Sequence, residues 1–317
     1  SAKIFVRQHG LYDDSFVPGL AEVAALVHSH GARLFAQLCH GGPKAVSSIS
    51  GAQPLSASAV AVKVGDVPRP MTVQQISLAV ERFADAALRA REAGFDGVEL
   101  HAAHFYLLSA FLSGHLNRRA DGYGGSVANR TRIVRETIHA VKARAGSDYP
   151  VICRIHGRES LEDGIDEAEA REIARLLADA GADAIHVSAG TVEVNPRIAH
   201  LFAVKVGAPP TGKMAHGCFV GYAASVRSAV RVPVIAVGKL NEPAVAEQAI
   251  RDGSADLVAI GRGLIADPHL PAKLLSGRWH EINRCRDCLT CHTCIQRQRD
   301  MDCSANPQPW RSKATPA

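Results

Sequence analysis

Aromatic residues are scarce in this chain: Phe, Trp and Tyr together make up 5% of its 317 residues. Its interior must therefore be built mainly from Ala, Val, Leu and Ile. No apolar run approaches the ~20 residues that a membrane span requires, which excludes a spanning helix. A strong charge of one sign is also lacking. The 36 Lys and Arg against 31 Asp and Glu give +5, too mild to imply a nucleic-acid partner. No basic-then-apolar leader follows Ser1, so no secretory signal is expected. No G-x-G-x-x-G follows a strand, so a dinucleotide-binding unit is not expected within these residues. What is present is an ordinary globular composition, 47% hydrophobic and 21% charged. The length suits one α/β barrel of ~250 residues plus a tail.

Short apolar runs alternate with amphipathic stretches along most of the chain. Strands are expected at Arg33–Gln37, Gly97–His101, Val151–Ile155, Ala184–Ser188, Val234–Val237 and Leu257–Ile260. Helices are expected at Pro18–His30, Val73–Ala93, Val127–Ala145, Asp166–Ala180, Cys218–Ala229 and Glu242–Arg251. Gly31, Gly94, Gly181 and Gly253 stand where a helix must close and the chain turn back. Repeated strand–helix units with near-continuous apolar strands imply a parallel sheet covered by helices. Six units are readable, which leaves an open six-stranded sheet or a barrel whose first part is absent. Residues Lys44–Met71 form a long polar insertion after the first strand, the kind of loop that builds a barrel's active site.

Polar residues gather where strands end. Gln37 and His40 follow the first strand, and His101, His104 and Tyr106 follow the second. Arg154 lies inside VICRIHGR, where a charge is costly unless paired; facing the outer helices is its bland alternative. The last two strands end in Gly238-Lys239 and Gly261-Arg262. Glycines there let backbone N–H groups approach a phosphate, although they also serve as plain turn chemistry.

The cysteines divide sharply. Cys39, Cys153 and Cys218 stand alone, whereas Cys285, Cys288, Cys291, Cys294 and Cys303 crowd near one end. A dense C-x2-C ladder reads as metal or cluster ligation in a reducing, cytoplasmic compartment. Three cysteines at spacing three with one remote partner suit a [4Fe–4S] cluster, and C-x2-C pairs also suit tetrahedral zinc. The neighbouring Arg284, Arg286, Arg297 and Arg299 have no aromatic stacking platform nearby, which argues against a nucleic-acid-binding zinc ribbon.

The segment His101–Arg130, with its string NRRADGYGGS, closely resembles the old yellow enzyme family of flavin-dependent ene-reductases. QLCHGG and AIGRGLIADP are similarly typical, and the tail CRDCLTCHTC resembles the iron–sulfur branch. That branch includes 2,4-dienoyl-CoA reductase, enoate reductases and trimethylamine dehydrogenase.

The resemblance implies a (β/α)8 TIM barrel over residues 1–275, here without its first two strands, and a cluster-binding tail over 276–317. FMN would lie at the strand C-termini, with Gln37 and Arg154 at the pyrimidine edge of the ring. An arginine there would stabilise the charge of reduced flavin. Gly238, Lys239, Gly261 and Arg262 match phosphate-binding positions. His101 and His104 match the pair that hydrogen-bonds the substrate carbonyl, and Tyr106 matches the proton donor. The family's His-x-Gly-Arg arginine is Pro43 here. Two cysteine registers stay open: Cys285, Cys288, Cys291 and Cys303 by spacing, or Cys288, Cys291, Cys294 and Cys303 by local residues.

The expected function is reduction of an activated C=C bond with electrons from NAD(P)H through [4Fe–4S] to FMN. FAD- and NAD(P)-binding domains outside these residues, or a separate electron donor, would supply them. A cytoplasmic homo-oligomer acting on a small molecule, with no nucleic-acid or membrane partner, is expected. The rivals are an amine dehydrogenase of the trimethylamine dehydrogenase type, a non-catalytic truncated barrel, and a phosphate-binding lyase or isomerase barrel. His200 and His216 are the alternative proton donors. The loop Thr191–His216 is expected to help shape the pocket.

Overall fold

A computed structural model describes residues 3–5, 8–62, 66–190, 214–297 and 299–306. Most of the Thr191–His216 loop, including His200, lies outside them. Six parallel strands pair in chain order: β1 (Phe35–Leu38), β2 (Gly97–Ala102), β3 (Val151–Glu159), β4 (Ala184–Gly190), β5 (Val234–Val237) and β6 (Leu257–Ala259). Helix α1 (Val17–Ser29) precedes β1. Then α2 (Val73–Glu92), α3 (Arg132–Ala145), α4 (Glu167–Asp179), α5 (Val220–Arg227) and α6 (Pro243–Arg251) fill the successive crossovers. This is the α/β barrel type of sheet that the strand–helix repeat implies, with β1 and β6 at its two edges among the described residues.

Alternation along the strands separates two faces. Val98, Leu100, Cys153, Ile155, Ile185, Val187, Val234 and Ala236 are fully buried. They form one core with Ile76 and Phe83 of α2, Ile133 and Ile138 of α3, Ile173 and Leu177 of α4, and Val226 of α5. Helix α2 shows how the sequence specifies such an element. Thr72 and Gln75 form a reciprocal capping box, with bonds of 3.0 and 3.2 Å. Ile76, Ala79, Val80, Phe83, Ala84, Ala87 and Ala90 then recur at helical spacing on its buried face. The four closing glycines adopt left-handed φ values between 69° and 99°, a region other residues enter at a cost.

Three expectations are corrected. The helix expected over Val127–Ala145 is broken into Val127–Arg130 and α3, where the Thr131 hydroxyl bonds back to the Ala128 carbonyl at 3.0 Å. Strand β3 runs on to Glu159, with an irregularity between His156 and Glu159. The Lys44–Met71 insertion contains a helical turn, Ser47–Ser50, and a small parallel ribbon of Leu55–Ser56 with Arg69–Pro70. Among the described residues no helix is long and apolar enough to cross a membrane.

Candidate active site

The opposite face of the sheet carries the polar side chains. Gln37 stands opposite Glu99, His101 opposite Arg154, and Arg154 opposite His186. The Gln37 amide donates to Glu99 Oε1, while Glu99 Oε2 lies 2.7 Å from His186 Nδ1. Burial alone would raise the Glu99 carboxyl, but His186, Gln37 and the Arg154 charge outweigh it and hold it below the ordinary carboxylate range. Arg154 therefore faces this polar row, not the outer helices. Its Nε, His101 Nδ1 and His186 Nε2 are buried with no hydrogen-bond partner among the described residues. Native interiors rarely leave such atoms unmet, so they mark where a polar ligand belongs.

The turn after β2 is built with some strain. His104 and Phe105 adopt φ values of 57° and 59°, each costing on the order of 1–3 kcal/mol for a residue other than glycine. A buried network holds them there. The His104 amide donates to His156 Nε2 at 2.7 Å, so His156 carries its proton on Nδ1, which meets Glu159 Oε1 at 2.9 Å. Glu159 Oε2 accepts the Ser113 hydroxyl at 2.7 Å and the Ile165 amide at 3.2 Å.

This turn points three side chains at one place. His101 Nε2 lies 3.3 Å from His104 Nδ1, and His104 Nε2 lies 2.8 Å from Ser188 Oγ. The Tyr106 ring sits 4.8 Å from the His101 ring, and Lys44 Nζ sits 4.7 Å from the Tyr106 ring centre. The loop after β1 closes against them: His40 O accepts the Leu107 amide at 3.0 Å. Gly42, at φ 56°, could not be another residue, because a Cβ would lie 2.5 Å from the Leu107 nitrogen.

Loss of water dominates the protonation states. Burial, and then the Arg154 charge, push the His101 imidazole down to about 3. The same two causes hold His104 well below its ordinary value. Burial takes His40 down to about 4 and pushes the Tyr106 phenol well up. Near neutral pH the site thus presents neutral imidazoles and a neutral phenol.

A stability prediction follows. Unfolded, these histidines titrate near 6.5; folded, they take protons only far below it. Between those values the unfolded chain binds more protons, so stability is complete above 6.5 and declines as pH falls. Urea midpoints should drop between pH 6.5 and about 5, where carboxylates are still ionised. A flat midpoint across that window would show that these rings are not held neutral.

The expected phosphate loops lie after β5 and β6. Gly238 and Lys239 take left-handed φ values of 121° and 53°. The Lys239 side chain is turned toward the cysteine tail: Nζ lies 3.0 Å from Asp287 Oδ2 and donates to Met214 O at 2.6 Å. Arg262 Nη1 meets Asp287 Oδ1 at 3.1 Å. The structure thus brings Gln37, Arg154, His101, His104 and Tyr106 onto one face. Lys239 and Arg262 form a second group, tied to the tail. His216, the described alternative acid, sits 3.2 Å from the Lys239 carbonyl, within that second group.

No disulfide joins any of the cysteines among the described residues. Hydrogen bonds with Ser304 and Thr290 bring the Cys288 thiol down to about 7. Cys291 is raised by burial and by the nearby Cys285 and Cys303. As placed, no three His, Cys, Asp or Glu side chains among the described residues form a group that could hold a metal ion.

Comparison with known proteins agrees with this geometry. The model of the NADH:flavin oxidoreductase / NADH oxidase family matches residues 1–281. NADH oxidase of Thermoanaerobacter brockii is 41% identical over 280 residues, covering 88% of this chain and 42% of that protein. Cinnamate reductase of Clostridium sporogenes is 30% identical over 318 residues, covering 94% and 46%. The solved complex of 2-naphthoyl-CoA reductase superposes with a TM-score of 0.88 at 28% identity, covering 96% and 47%. An α/β barrel sheet with a polar, partly unsatisfied ligand face is what a flavin-binding oxidoreductase needs. The chain belongs to the NADH:flavin oxidoreductase / NADH oxidase family, the old yellow enzyme family that its motifs resemble. It spans less than half the length of these three relatives.

Proposed function

We propose that this chain is the flavin-binding unit of an NAD(P)H-dependent enzyme that reduces an activated C=C bond. The observation that carries the reading is the unmet, buried pair Arg154 Nε and His101 Nδ1, set beside Tyr106 on the polar face of the sheet. FMN, when bound, supplies the hydride chemistry. Gln37 and Arg154 would meet its pyrimidine edge, the arginine supplying a fixed positive charge. Backbone amides at Gly238 and Gly261, with Arg262, would hold its phosphate.

The histidine pair then divides its work. Both ring nitrogens of His104 are engaged, with His101 and Ser188, whereas His101 keeps Nδ1. If the Ser188 hydroxyl donates to His104 Nε2, His104 Nδ1–H donates to His101 Nε2. His101 is thereby fixed with its proton on Nδ1, aimed at an acceptor carbonyl. His101 binds the carbonyl, His104 positions it, and Tyr106 supplies the proton.

The donor set of the tail suits a [4Fe–4S] cluster, which when bound supplies one-electron delivery. Cys288, Cys291 and Cys303 stand in both registers, and either Cys285 or Cys294 completes the set. An enzyme of this kind would take electrons from NAD(P)H through partner domains and work as a cytoplasmic homo-oligomer.

The direct test is purification of the full-length protein followed by acid release of its cofactor. One FMN per chain, reducible by NAD(P)H and re-oxidised by an enone or enoate, is expected. Another phosphorylated ligand and no flavin would end the proposal.

A further inference from the structure

The two cations at the ends of β5 and β6 converge on a residue from the cysteine tail. Asp287 lies between Cys285 and Cys288, and each of its oxygens serves a different partner: Oδ1 takes Arg262 at 3.1 Å and Oδ2 takes Lys239 at 3.0 Å. The cluster is enclosed, with the Lys239, Asp287 and Arg262 side chains only 3%, 12% and 18% exposed. Lys239 donates to the Met214 carbonyl as well, so its ammonium is committed to this junction.

Asp287 also holds a left-handed backbone, φ 52°. Aspartate tolerates that region better than most residues, but glycine would be the unstrained choice there. Here the conformation carries the carboxylate into a gap between two cations, and its removal would take a counter-charge from each of them.

We propose that Asp287 is a positioning residue for the flavin phosphate. Its carboxylate fixes the plane of the Arg262 guanidinium, whose remaining donors then meet the phosphate, and it pins the cysteine segment to the same loops through Lys239. One side chain thus joins the phosphate site to the tail. The inference rests on the reading of these two loops as the phosphate grip.

The experiment compares two ligands that differ only in the phosphate, FMN and riboflavin, titrated into deflavinated full-length protein. Asp287→Asn keeps the size of the side chain and removes its charge. It should weaken FMN about tenfold, equivalent to about 1.4 kcal/mol, and leave riboflavin unchanged. Asp287→Glu should recover part of the loss. In an Arg262→Gln background, Asp287→Asn should no longer alter the FMN-to-riboflavin ratio, because the group it positions is gone. An unchanged ratio in Asp287→Asn would overturn the proposal, as would equal weakening of both ligands, which marks a merely structural role. Tighter FMN binding would also overturn it, since Asp287 would then compete with the phosphate. A parent protein that binds neither ligand would instead refute the flavin reading itself.

Discussion

Replacing Tyr106 by Phe is expected to slow re-oxidation of the reduced flavin by an enone acceptor by a factor on the order of 10²–10⁴, the usual worth of a positioned acid. Flavin reduction by the nicotinamide and acceptor binding should survive, because only a hydroxyl is removed. The phenol suits the role because burial holds its proton tightly. It releases that proton only toward a strongly basic carbon, such as the one left when hydride reaches the far end of the double bond. His101→Ala should behave differently and weaken acceptor binding together with rate, since the carbonyl loses its only donor in this pair. Stopped-flow measurement of the two half-reactions separates these outcomes. If Tyr106→Phe re-oxidised at the parent rate with an acceptor whose proton transfer limits turnover, the assignment would be wrong. His216, near the Lys239 carbonyl, would then be the described residue to examine.

Loss of a single cluster ligand is expected to remove essentially all iron and acid-labile sulfide from protein purified without oxygen. Cys288→Ala, Cys291→Ala and Cys303→Ala should each do so, since all three stand in both registers, while Cys285→Ala and Cys294→Ala should differ from each other. Four thiolates share one cluster, and an incomplete set leaves an iron without its ligand. Loss in Cys285→Ala with retention in Cys294→Ala selects the register Cys285, Cys288, Cys291 and Cys303, and the converse selects Cys288, Cys291, Cys294 and Cys303. Stoichiometric zinc in the parent protein would replace the cluster with a structural metal site.

Much of the fold was legible because its determinants are local and repetitive. Glycine closures at Gly31, Gly94, Gly181 and Gly253 and the two-residue alternation in VICRI and AIHVS announce helix ends and buried strands without any long-range information. Boundaries were less legible. The Thr131 interruption depends on one hydroxyl's bond to its own backbone, and β3 runs past Ile155 because its end is tied into the His156–Glu159 network. His101, His104 and Tyr106 were readable from their position after a strand. Glu99 and His186 could have been found from the same alternation, since each lies two residues before a residue of the histidine relay. His156, two residues after Arg154, continues that alternation as well. Glu159 and Asp287 gave no such signal: their partners lie 46 and 25 residues away in the chain, and only folding makes those distances short.

The anchoring of the His104–Phe105 turn also bears on how such an enzyme changes its substrate. The turn takes its shape from His156 and Glu159 on the neighbouring strand. The outer part of the Lys44–Met71 insertion is fastened elsewhere: Arg119 donates to Ala57 and Met71 carbonyls, and the Arg118 amide donates to Ser58. The two still meet: Val62 of the insertion packs with Phe105 of the turn, and Lys44 lies over the ring of Tyr106, the residue proposed to supply the proton. A change at Ala57 or Ser58 bears on Arg118 and Arg119, whereas a change at Lys44 or Val62 reaches the turn itself. His156 and Glu159, beneath the turn, hold its shape as a pair.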